Sequence, residues 1–189
     1  SDPVVQATLR VVKVFWSLED LLAFKRHFPA ISWLNSYSLY YENVDEKLTK
    51  EYGEDFVELR TESMKLLQQE AELEEIVKLV GVDSLSASDR LILQSSKSIR
   101  EDFLHQNAFH EVDTYCEPEK QAKMLRFMVE FHEMVEPLVR GGVPVDKIRD
   151  MPSLVEVMRL KERKGIEWIE KVRKTTRADI EKLAEQYSL

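Results

Sequence analysis

From about Asn43 to the end of the chain, apolar residues recur every third or fourth position, the spacing that gives a helix one dry face. In "EDFVELRTESMKLLQQEAELEEIVKLVG" the stripe runs through Phe56, Leu59, Met64, Leu67, Leu73, Ile76, Val77 and Val80, and Gly81 supplies a stop. Its phase slips between Ser63 and Ala71, which predicts two helices or a kink. "SASD" opens the next helix, with Ser86 as N-cap and the acidic Asp89 three residues on. That pattern continues to about Asn107, a length of roughly 33 Å at 1.5 Å per residue. Pro118 suits the first position of a further helix that reaches Arg140 before the "GGVP" turn. Beyond Val145 two or three more helices are expected, the last strongly charged.

The first residues read differently. "TLRVVKVFW", Thr8 to Trp16, is β-branched, aromatic and apolar on both faces, the pattern of a buried strand in a parallel sheet. No partner strands follow, so it is expected to be an orphan from a larger α/β domain. "SLEDLLAFKRHF" then predicts a helix with Ser17 as N-cap, ended by Pro29. The predicted fold class is mainly α, a helical bundle preceded by a short strand-helix remnant.

Composition narrows the class. At 189 residues the chain can bury roughly 70% of its unfolded surface, so it needs neither disulfides nor metal to hold a core. The net charge of −8 argues against binding a phosphate backbone, so no nucleic acid partner is expected. A single Cys suits a reducing cytosol, and no apolar run reaches the 18 residues a membrane span needs. The start "SDPVVQATLR" has no signal-peptide layout and no initiator Met, and is expected to be a cut within a longer chain.

Three patterns invite a chemical reading. "DFLHQNAFHEVDTYC" gathers His105, His110, Asp113 and Cys116, all metal-ligand types. On a helix a step of five residues turns far from the starting face, so His105 and His110 diverge, and the rest straddle a predicted helix end. No metal is expected there. "HEMVE", His132 to Glu136, ends in Glu where a zinc protease needs a second His, and reads as a pair on a solvated helix face. The acidic run Gln69 to Glu75 reads as an exposed face. No two of the five glycines have phosphate-loop spacing, and G-x-S-x-G and C-x-x-C are absent. Composition and motifs alone therefore give a helical domain without a catalytic site of its own.

Longer segments carry more. "SDPVVQATLRVVKVFW", "KRHFPAISWLNSYSLY" and "LVGVDSLSASDRLILQSSKSIREDFLHQNAFHEVDTYC" resemble the carboxyl-terminal part of the catalytic A subunit of vacuolar- and archaeal-type rotary ATPases. "SLYYENVDEKL" and "QNAFHEVDTYC" bring the archaeal branch nearer. The resemblance spans the chain and is weaker after Gly142. It implies that residues 1–28 end the α/β nucleotide domain and that 29–189 form the carboxyl-terminal helical domain. The phosphate loop and catalytic Glu would lie upstream, leaving this chain inactive by itself.

The resemblance also assigns residues. The segments matching "HFPA" and "QNAF" each supply an aromatic to the adenine of ATP or ADP, here Phe28 and Phe109. "VDSLSASD" falls where the related F-type beta subunit carries an acidic helix-turn-helix that pushes on the rotor. Asp83 and Asp89 keep carboxylates, whereas Ser84, Ala87 and Ser88 do not; with Leu85 and Ser86 they imply a steric lever, Leu85 packing the turn. Implied partners are B subunits, central-stalk subunits and nucleotide, with Mg²⁺ held upstream, in a complex peripheral to the cytoplasmic membrane face and coupled to proton or sodium transport. Two rival classes stay open: a non-enzymatic helical scaffold or adaptor, and a metal-dependent regulator built on the His/Cys window.

Overall fold

The computed structural model describes residues 2–189. Among the described residues nine α-helices follow one another: α1 Pro3–Val11, α2 Asp20–Phe24, α3 Asp45–Tyr52, α4 Phe56–Val80, α5 Ala87–Ser98, α6 Pro118–Arg140, α7 Val145–Arg149, α8 Ser153–Val157 and α9 Glu167–Gln186. Two two-residue strands, β1 Val14–Phe15 and β2 Tyr37–Ser38, form the one small sheet among those residues. The predicted mainly α class is what the chain adopts.

Helix α6 is the axis of the bundle. Met124, Phe127, Met128, Phe131, Val135, Leu138 and Val139 repeat at helical spacing and are all buried. Its first half packs with Leu66 and Leu67 of α4, Ile99, and Ile169 and Val172 of α9. Its second half meets Leu91 of α5, Ile148, and Ile180 and Leu183 of α9. The predicted start at Pro118 and stop at Gly141 both hold.

Helix α4 is one unbroken run of 25 residues, not two helices. Its buried stripe is Leu59, Ser63, Leu66, Leu67 and Glu70, so polar residues continue the stripe where the apolar pattern lapsed. Ser63 Oγ satisfies itself on the Leu59 carbonyl at 2.7 Å. Glu70, expected on a solvated face, is 5% exposed and accepts from Arg100 at 2.5 Å. Gly81, at φ 83°, ends the helix in the left-handed region a Cβ disfavours.

The amino-terminal strand is a correction. Thr8 to Val11 is helical, not extended: α1 reaches Val11, started by Asp2, whose carboxylate accepts from Val4 N at 2.8 Å, with Pro3 at the first position. The pair "DP" is a helix start that the β-branched residues after it masked. Only Val14 and Phe15 pair as a strand, antiparallel to Ser38 and Tyr37, so the partner lies in this chain. Ser17 does not cap α2 either. Its carbonyl accepts from Ser32 N at 2.7 Å beside the Leu18–Ile31 bridge, and the helix begins at Asp20.

Candidate functional site: two aromatic segments and a helical tip

After α2 the chain turns sharply. Arg26 takes φ 58°, His27 N bonds the Leu22 carbonyl at 2.8 Å, and Phe28 follows, half exposed at 52%. The second segment begins where α5 loosens. The predicted helix to Asn107 stops earlier: α5 ends at Ser98 and passes into a π-helical turn, Ile99–Leu104. His105 N closes that turn on the Arg100 carbonyl at 2.9 Å, and His105 itself is extended. Gln106 N then donates to the Phe28 carbonyl at 2.7 Å. Two stretches far apart in sequence are thereby tied together.

The loop that follows is built from the polar residues that suggested a metal. Asp113, 3% exposed, accepts from Asn107 N at 2.5 Å. His110 Nδ1 accepts from the amides of Val112 and Asp113 at 3.2 and 3.3 Å. Asn107 Oδ1 takes the Phe109 amide at 3.1 Å. These side chains satisfy backbone donors, the usual requirement in a compact loop. Burial raises the pKa of the half-buried Cys116 thiol, which favours its inert form. Among the described residues no group of three His, Cys, Asp or Glu is arranged to hold a metal ion. Phe109, at the loop's outer edge, is 99% exposed.

His132 of "HEMVE" also departs from expectation. It is half-buried, and its Nδ1 lies 2.8 Å from Ser95 Oγ of α5. Burial depresses its pKa.

At the far end of α4 the "VDSLSASD" segment is short and well capped. Val82–Ser84 forms a 3₁₀ turn, and Ser86 caps α5 by accepting from Asp89 N at 3.1 Å. Leu85 is 8% exposed and lies inward, while Asp83, Ser84 and Ser86 face solvent. Ala87, Ser88 and Asp89 are partly covered. Sequence reading missed what surrounds this turn: Ile76, Leu79, Val80 and Val82 form an exposed apolar tip, Leu79 at 85%. The signal was present, since residues 76, 79 and 80 share one helix face.

Residues 45–148 match the family model described as the C-terminal domain of V and A type ATP synthase. The chain belongs to this family. Over its full length it is 52% identical to the A subunit of the A-type ATP synthase of Methanopyrus kandleri, and it covers 32% of that protein. It is 51% identical, over 96% of its length, to the V-type ATP synthase alpha chain of Thermoanaerobacter pseudethanolicus, covering 30% of that protein. The V-type alpha chain of Clostridium novyi is 56% identical over 82% of this chain and is covered to 26%. The chain thus spans about a third of the length of the V/A-type proteins it matches. Within the V/A-type family it is a helical domain. No helix among its described residues is long and apolar enough to cross a membrane.

Proposed function

We propose that this domain supplies part of the adenine pocket in the A subunit of a rotary ATPase and passes nucleotide-driven closure to the central stalk. One observation carries the reading. The segments bearing Phe28 and Phe109 are joined by the Gln106 N–Phe28 O bond, yet both rings are left open, Phe109 almost wholly so. A large aromatic at 99% exposure on an ordered loop contributes nothing to this domain's own core. Flat, polarisable rings suit the face of a base, where offset stacking is favoured.

The phosphates find no counterpart. The chain has no glycine pair at phosphate-loop spacing, so the phosphates and Mg²⁺ would be held by other parts of the subunit. Residues 1–28 would complete the nucleotide domain, with the bundle from residue 29 acting as the mover. At its other end Asp83 to Asp89 and the apolar tip would meet stalk subunits by shape, with B subunits alongside. The tip is mostly uncharged, which favours a steric contact over a charge-based one. The whole complex would sit on the cytoplasmic membrane face and couple to proton or sodium flow.

The test is titration of the whole A subunit, with Phe28→Ala and Phe109→Ala variants, against Mg-ATP and Mg-tripolyphosphate. Loss of one stacking contact, about 0.5–1.5 kcal/mol, weakens Mg-ATP binding roughly two- to twelvefold. Mg-tripolyphosphate, which lacks a base, should bind as before. Unchanged Mg-ATP affinity in both variants would return the two rings to surface residues without a ligand.

A further inference from the structure

His27 precedes Phe28 and is buried, at 5% exposure. Both of its ring nitrogens face carbonyl oxygens: Nε2 lies 3.0 Å from that of Arg100, and Nδ1 3.2 Å from that of Pro29. A carbonyl only accepts, so each contact is a hydrogen bond when that nitrogen carries its proton. The ring is boxed between Trp33 and His105, at centroid distances of 5.6 and 4.9 Å.

Glu101 shares the π-helical turn; burial works against its carboxylate, but Arg100, with His27 and His105 behind, brings its pKa below the usual range. Lys161 reaches in to donate to the carbonyls of Glu101 and His105 at 2.8 and 3.0 Å. Burial first, then Lys161 and His27, lowers the pKa of His105.

Phe28 is thus flanked on both sides. The imidazole before it lies between the Arg100 and Pro29 carbonyls and donates through whichever nitrogen carries a proton, and the Phe28 carbonyl itself takes Gln106 N. We propose that His27 is a positioning residue for the adenine pocket, fixing the Phe28 ring against the turn that leads to Phe109. This rests on the adenine reading above. Buried as it is, His27 acts through Phe28 and not by touching nucleotide.

In the whole A subunit, His27→Leu removes both ring nitrogens, whereas His27→Gln keeps an amide that can reach one carbonyl. Loss of one net hydrogen bond in the base subsite alone weakens Mg-ATP binding about two- to twelvefold for Leu and less for Gln. Mg-tripolyphosphate affinity stays unchanged. Thermal melting of the same samples identifies a misfolded variant, in which case the better-folded of the two decides. Unchanged Mg-ATP affinity in a folded His27 variant, while the Phe variants lose it, overturns the positioning role and leaves the adenine reading standing. An equal loss for both ligands overturns it as well. Normal binding by both Phe variants removes the adenine reading and this inference together.

Discussion

Phe109 stands outside the packing of its own domain. A side chain 99% exposed has no packing to lose, so Phe109→Ala should change this domain's stability by less than about 0.5 kcal/mol. Urea denaturation at an unchanged slope would confirm it. Leu85 is the opposite case. It is buried at the turn, so Leu85→Ala disturbs the local fold before it can report on coupling. His132 makes a pH prediction. Burial lowers its folded-state pKa, so the neutral ring is the form the fold keeps. Stability is then full above the ordinary value, about 6.5, and is lost as pH falls through the lower folded one. Melting between pH 7.5 and 5 should drop less in His132→Gln, which keeps an acceptor for Ser95, than in the unsubstituted domain.

At the scale of elements, α6 carries the stability. Phe127 is 1% exposed between α4 and α9, and Phe127→Ala should cost about 3–5 kcal/mol, seen as a lower denaturation midpoint. Asp102 runs the other way. Burial raises its pKa, with Ser98 and Lys161 offsetting only part of the effect. Its stabilising form is the protonated one, favoured below the unfolded value and lost as pH rises through the folded value. Asp102→Asn should therefore raise the melting midpoint at pH 7, with the gain shrinking in acid. Helices with apolar stripes and plain caps were legible in the sequence: α6 between Pro118 and Gly141, and α5 from Ser86. The unity of α4 was not, because Ser63 and Glu70 occupy its dry face by bonding to Leu59 and Arg100. Nor was α1, whose short Asp-Pro start was outweighed by Val11, Val12 and Val14. The proposed site was legible only through the resemblance. The resemblance named Phe28 and Phe109, but the bond joining them runs through backbone atoms, which leave no mark on side-chain pattern. His27 gave no signal for the same reason, since its partners are carbonyls.

At the scale of the whole molecule, the 189-residue chain alone should neither hydrolyse Mg-ATP nor bind it tightly, since it lacks the loop that cradles phosphates. Calorimetric titration and a turnover assay check this, and turnover abolished by a point mutation within the chain would contradict it. In the assembled enzyme Leu79→Ser, at the exposed tip, should spare nucleotide affinity and reduce the torque passed on per ATP consumed, measurable as a lower ratio of ions moved to ATP hydrolysed. Between the two ends lies Arg100. Its guanidinium holds Glu70 in the middle of α4, while its carbonyl receives both His27 and the His105 amide. A strut fixed at both ends carries load in either direction. Under the proposed coupling, whatever free energy an occupied base subsite added to contact at the tip, a rotor pressing on the tip would return to the base subsite in equal measure. The same residue would then serve an engine run forwards and a generator run in reverse.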